Sequence, residues 1–286
     1  MQTTLRTLLG DYPVTRAMKS GEVRSPDLAL DFADVKVPNT AFKRVVRSLE
    51  FDVAELAIAT FLLARAHGKP LSLLPAVVTA RFQHPLLVYN TECGPLLPSD
   101  LRGRRIGLRA YSVTTAAWVR SILADDYAIA PAQVEWIAFD EPHVAEYRDP
   151  PNVQRAPPGA EMIAMLLDGE LDAAIVGERP SDPRLKTVIP DPAASAEAWY
   201  RRAGGLQVNH MLVIKNSVVE THPRAAEEIV RLFSESKRAA GLPARDTLDT
   251  SPVGREANRH NVEIAIDCVY RQGMIPRRFV PEELFA

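Results

Sequence analysis

The residues of this 286-residue chain that could do chemistry gather where apolar runs meet helical ones. In LRAYSVTTAAWVRSIL, residues 108–123, an apolar strand end gives way to an amphipathic helix, with Tyr111, Ser112, Thr114 and Thr115 at the joint. A helix start offers unsatisfied N–H groups and the positive end of a dipole, so it favours an anion. Phosphate loops are usually glycine-rich, because backbone must approach a bulky polyanion closely. No glycine stands at this joint, and a planar carboxylate, being smaller, needs none. The plainer reading makes Ser112 a helix cap and turns the threonines against neighbouring strands.

Arginine is the natural fork for a carboxylate, since its planar donors pair bidentately. Arg16, Arg81 and Arg179 each stand beside a predicted strand, where a surface ion pair is the competing use. Arg201 and Arg202 precede the last strand and read either as ligand contacts or as hinge charges. His210 opens the strand HMLVIKN, and histidine's ordinary pKa near 6.5 suits proton transfer at neutral pH. His84 has a similar claim. Glu55, inside an apolar strand end, is either a buried base or the partner of an arginine, and the ion pair is the favoured reading. His210, His84 and Glu55 form the catalytic set. Arg16, Arg81, Tyr111, Ser112, Thr114, Thr115, Arg179 and Arg201 form the substrate-binding set.

Other chemistries are set aside. GxGxxG, GxxxxGK[ST] and G-x-S-x-G are all missing, and the six histidines never fall at HxH or HExxH spacing, so neither a metal nor a cofactor is expected, with a metal assembled from distant residues left open. Two cysteines make no disulfide framework. A formal net charge of −2 carries no footprint for nucleic acid, and no apolar run is long enough to span a bilayer. The opening MQTTLRTLLGDYP has a short apolar stretch broken by Arg6 and no small-residue cleavage site. A cytoplasmic location is therefore the expectation. Homo-oligomer formation is left open.

Short apolar runs alternate with helical patterns, which predicts an α/β fold with largely parallel sheets. Strands are expected at 3–9, 28–35, 53–59, 71–78, 84–89, 134–139 and 211–215. Helices are expected near 40–49, 61–67, 223–239 and 255–272. LPSDLRGRRIGL reads as turn, short helix and strand, and AEMIAMLLDGELDAAIVG as helix, turn and strand. The proline-rich stretches 141–159 and 180–192 read as loop, and Trp118 and Trp136 as core. Two such units with a late return strand predict two lobes, 1–92 with 206–286 and 93–205, with a ligand cleft between them.

Six stretches in order resemble the 4,5-dihydroxyphthalate decarboxylase family. GDYPVTRAMKSGEV matches at Asp11, Tyr12, Thr15 and Arg16; LEFDVAELAIATFLLARAHG and RFQHPLLVYN match at Glu55, Arg81, His84 and Asn90. DLRGRRIGLRAYSVTTAAWVRSIL matches at Tyr111, Thr114 and Trp118, DGELDAAIVGERP at Arg179 and Pro180, and YRRAGGLQVNHMLVIKN at Arg201, Arg202 and His210. The chain departs from the family pattern at Ala57, Phe61, Val208 and Asn209. The resemblance implies a type II periplasmic-binding-protein-like fold and a cofactor-independent carboxy-lyase acting on a small aromatic dicarboxylate. It points to 4,5-dihydroxyphthalate as substrate and protocatechuate as product. The alternative in a different class is a solute-binding protein that captures a small organic anion without chemistry.

Overall fold

The computed structural model describes residues 2–286, which divide into two units, each with its own sheet. Of the described residues, the first unit comprises 2–81, 208–267 and 275–286; the second comprises 82–207 and 268–274.

The first sheet holds β1 (Thr3–Leu8), β2 (Leu28–Phe32), β3 (Val53–Ala57), β4 (Leu71–Ala80) and the late strand β11 (Val208–Lys215), in the order β2-β1-β3-β11-β4. β1 runs parallel to both β2 and β3. β11 runs antiparallel to β3 and β4, so the return strand is inserted into the sheet rather than added at its edge. Every residue of β3 is buried, as an inner strand covered on both faces requires. On one face Leu5, Val53, Leu74, Leu212 and Ile214 pack with Ile229, Leu232 and Phe233 of the helix Ala225–Ala239.

The second sheet holds β5 (Leu87–Asn90), β6 (Arg105–Leu108), β7 (Glu135–Ala138), β8 (Val153–Arg155), β9 (Ala173–Ile175) and β10 (Leu185–Thr187), in the order β10-β5-β9-β6-β7-β8. β6 is parallel to β7 and β9, and β5 is antiparallel to β9 and β10. Its core includes Val88, Ile137, Leu166, Leu171, Ala174 and Val176.

Several expectations need correction. The first boundary lies at 81/82 rather than 92/93, because β5 pairs within the second sheet. Residues 268–274 belong with the second unit, where the Gln272 amide donates to the Ala117 carbonyl and accepts from Arg120 Nε. Residues 84–86 form a 3-10 turn at Pro85, so the strand starts at Leu87. The two stretches read as loop contain β8 and β10, and a twelve-residue helix, Pro192–Ala203, follows directly. Among the described residues no helix is long and apolar enough to cross a membrane.

Candidate functional site

The register of the first sheet assembles a polar cluster from three distant stretches. In the antiparallel pair, Leu212 stands opposite Glu55 and His210 opposite Ala57, which makes Glu55 and His210 diagonal neighbours on one face. The β11–β4 register shifts on both sides of His210, and such irregularities re-aim a side chain. β1 pairs with β3 at Thr7–Val53 and Leu8–Ala54, so the chain leaving β1 reaches Glu55 at Gly10.

Glu55 is fully buried and accepts three hydrogen bonds. The Gly10 N–H donates to Oε2 at 2.8 Å, the Tyr12 hydroxyl to Oε1 at 2.9 Å, and His210 Nδ1 to Oε1 at 3.0 Å. With Nδ1 as the donor of that bond, the ring presents Nε2 as its second nitrogen. Nε2 has no hydrogen-bond partner among the described residues, and the His210 side chain is 19% exposed. Phe42 packs edge-on against the imidazole, centroids 5.1 Å apart. Burial and the adjacent Glu55 push the Tyr12 phenol above its ordinary range, keeping it a donor. Thr15 Oγ1 accepts from the Tyr12 N–H at 2.9 Å and donates to the Gly10 carbonyl at 2.7 Å, pinning the loop. The ion pair expected between Glu55 and an arginine is thus replaced by a carboxylate–histidine pair. A carboxylate behind one imidazole nitrogen fixes the tautomer and stabilises the imidazolium, leaving the other nitrogen to carry a proton.

The remaining candidates fall on both units. Arg16 is exposed at the start of the helix Arg16–Ser20, 3.9 Å from an equally exposed Asp11. Arg81 and Arg179 are exposed. Arg201 sits in the last turn of Pro192–Ala203 and pairs with Glu197 on its own exposed face, the ordinary use of a surface arginine rather than a ligand contact. Ser112 and Thr114 are buried and Thr115 half-buried at the start of the helix Thr114–Tyr127. Val113, not Ser112, is the N-cap residue. Tyr111 is a buried residue of the second unit. Its ring is buried under the Arg120 guanidinium, 3.6 Å away, and packs edge-on to Trp136. Trp118 and Trp136 are buried, as expected.

His84 is fully buried in the second unit, where desolvation and the charge of Arg202 lower its pKa to about 4. An imidazole held uncharged near neutrality is a weak general acid there.

Arg109 went unnoticed in the sequence. It follows β6, and its Nη2 donates to His143 Nε2 at 3.1 Å. Burial lowers its pKa, with Asp140 opposing the shift. The only signal in the sequence was its place between β6 and the hydroxyl-rich helix start. Among the described residues no group of His, Cys, Asp and Glu could hold a metal ion. The thiol of Cys268 is buried, and desolvation pushes it up to about 12.

No family model matches the chain. It is 26% identical to a 4,5-dihydroxyphthalate decarboxylase of Comamonas testosteroni, over 98% of this chain and 96% of that one. It is 29% identical to a 4,5-dihydroxyphthalate decarboxylase of Pseudomonas putida, over 69% of this chain and 81% of that one. Among solved structures, the periplasmic aliphatic sulphonate binding protein SsuA from Escherichia coli superposes with a TM-score of 0.63 at 13% identity, covering 100% of this chain and 98% of that one. By sequence the chain is similar to two 4,5-dihydroxyphthalate decarboxylases, and its α/β fold is that of the periplasmic binding proteins.

Proposed function

We propose that the chain removes CO2 from a hydroxylated aromatic dicarboxylate, 4,5-dihydroxyphthalate or a near relative, and leaves a catechol monoacid such as protocatechuate. The observation that carries this reading is the buried Glu55 holding His210 by Nδ1, with Nε2 left to handle a proton. The names of the two relatives supply the substrate class.

The chemistry follows from the ring. Direct loss of CO2 would leave an aryl carbanion of prohibitive energy. A hydroxyl para to the carboxylate opens another route. The His210 imidazolium gives its Nε2 proton to the carboxyl-bearing carbon while the para hydroxyl loses its proton to solvent, which forms a dienone. The C–C bond to the carboxylate then breaks, its electron pair restores the aromatic ring, and CO2 leaves. The phenolate and His210 are reprotonated from solvent, so one proton is consumed per CO2. The ring is its own electron sink, and the scheme balances without a cofactor. Glu55 holds the imidazolium in place, and Tyr12 and Gly10 hold Glu55.

The rival is a binding protein for the same class of anion, a reading that the sulphonate-binding neighbour favours. Incubating pure protein with 4,5-dihydroxyphthalate and following CO2 and protocatechuate separates the two. Turnover in the parent, lost in His210→Asn, supports the decarboxylase. Tight binding with no product after many hours supports the binder.

A further inference from the structure

Among the described residues no arginine or lysine pairs with the buried carboxylate of Glu55, yet a cation stands one peptide group away. Lys19 Nζ donates to the Leu9 carbonyl at 2.9 Å. The N–H of that same peptide unit is the Gly10 N–H, which donates to Glu55 Oε2 at 2.8 Å. The order is therefore ammonium, peptide oxygen, peptide N–H, carboxylate. The other carboxylate oxygen, Oε1, holds the Tyr12 hydroxyl and His210 Nδ1. All of these residues lie in the first unit.

Local structure keeps the ammonium on that carbonyl. Lys19 stands in the last turn of the helix Arg16–Ser20, which starts directly after Thr15. Its backbone N–H donates to the Thr15 carbonyl at 3.0 Å, and the Thr15 hydroxyl donates to the Gly10 carbonyl at 2.7 Å, so helix and loop are tied together. Lys19 is half-buried, with Nζ 5.9 Å from the centre of the Phe32 ring, and no carboxylate pairs with it among the described residues. Its charge is committed to the Leu9 carbonyl. A cation on an amide oxygen draws electron density toward that oxygen and makes the N–H of the same amide a stronger donor. Such chains of hydrogen bonds polarise one another most where the local dielectric is low. A buried carboxylate is costly unless its donors make good the lost water, so a strengthened donor matters most at a site like Glu55.

We propose that Lys19 is a positioning residue that acts on Glu55 through the Leu9–Gly10 peptide and so holds the carboxylate in place behind His210. Its effect on turnover rests on the proposed decarboxylase reading; its effect on the Gly10 N–H does not. No proton moves along the chain, because the peptide transmits polarisation only. The cation that an arginine was expected to bring to Glu55 is supplied by a lysine, one peptide removed.

NMR of the amide protons of Gly10 and Tyr12 tests this in the parent and in the Lys19→Met, Lys19→Gln and Lys19→Arg proteins. The Tyr12 N–H donates to Thr15 Oγ1 at 2.9 Å, in the same loop but outside the polarised chain, and is the internal control. Lys19→Met should move the Gly10 proton upfield, since a weaker hydrogen bond deshields it less, and Lys19→Arg should restore it. Lys19→Gln, which keeps a donor without the charge, should fall between them and carries the test should Lys19→Met fail to fold. The Tyr12 proton should stay in place throughout. A Gly10 proton that does not move in the folded neutral variants, or one that moves together with that of Tyr12, overturns the proposal. With 4,5-dihydroxyphthalate as substrate, Lys19→Met should lower kcat about threefold at an unchanged KM, the scale of a charged hydrogen bond losing part of its strength. Lys19→Arg should recover the loss. A parental kcat in a protein whose Gly10 proton has moved, or a loss that arginine does not recover, overturns the role in turnover. If the parent forms no product, the decarboxylase reading falls, and the Gly10 shift alone decides whether Lys19 acts on Glu55.

Discussion

On the proposed decarboxylase reading Glu55 and His210 have distinct tasks, and substitutions should separate them. General acid–base transfer typically contributes about 10²–10⁴-fold. His210→Asn should therefore cut turnover at least about a hundredfold while leaving thermal stability close to the parent, since the ring is partly exposed. Glu55→Gln should also cut turnover, and it should destabilise, because a fully buried acceptor of three bonds is exchanged for a group with its own N–H to satisfy. Near-normal turnover in a folded His210→Asn protein, followed by product chromatography, would remove the histidine from the reaction. His84 makes an opposite prediction, about stability. Its pKa is near 4 in the folded protein and near 6.5 unfolded. The unfolded chain then binds the extra proton between those values, so His84 costs nothing above pH 6.5, and stability falls as pH drops from 6.5 to about 4. The slope from this one group is at most about 1.4 kcal/mol per pH unit. Chemical denaturation at pH 7, 5.5 and 4.5 should show the fall, and His84→Phe should flatten it. An unchanged slope in the variant would place the acid sensitivity in other groups.

At the scale of the elements, the loop after β1 is the part that turns a strand residue into a working pair. A methyl at Gly10 would lie 2.5–2.7 Å from the Tyr12 ring, so alanine there must push the phenol away and break its bond to Glu55. Gly10→Ala and Tyr12→Phe should each lower turnover about tenfold, the scale of one hydrogen bond to a charged group. Because both act through one contact, the double variant should lose little more than either alone. Fully multiplied losses would mean that the loop acts by another route. This loop also marks what was legible beforehand. The alternation of strands and helices was readable, because buried parallel strands are written as apolar runs. Glu55 and His210 stood out as polar residues within such runs, but their pairing depends on the antiparallel register of β11, which no local pattern specifies. The helix Pro192–Ala203 was missed although its signals were present. Asp191 caps it through the Ala194 N–H, Pro192 opens it and Gly204 closes it at φ 68°, yet the neighbouring prolines made the start look like coil. The three-residue strands β8 and β10 are too short to show alternation. Arg120 is a fully buried cation held by stacking on Tyr111 and by Gln272, a partnership between residues 152 apart in sequence.

At the scale of the whole molecule, the fold is shared with proteins that only bind, and fold does not name function. The difference between a binder and a decarboxylase lies in a group that can deliver a proton to a bound ring. Both would be stabilised by a tight ligand, by about 2.7 kcal/mol at a hundred times the dissociation constant, so a rise in melting temperature cannot separate them. The fate of the proton can. If His210 delivers a solvent-derived proton to the carbon that loses CO2, product formed in D2O must carry one deuterium there. Mass spectrometry should find protocatechuate heavier by one unit, and NMR should place the deuterium on that carbon alone. Deuterium at other ring positions, after control for background exchange, would mean ring protonation without selectivity and would argue against one positioned acid. Product formed at the parental rate by the Glu55→Gln and His210→Asn proteins would locate the acid elsewhere. Dihydroxyphthalate recovered intact and unlabelled, from protein that it demonstrably stabilises, would make this chain a binding protein that keeps a carboxylate–histidine pair for its ligand rather than for chemistry.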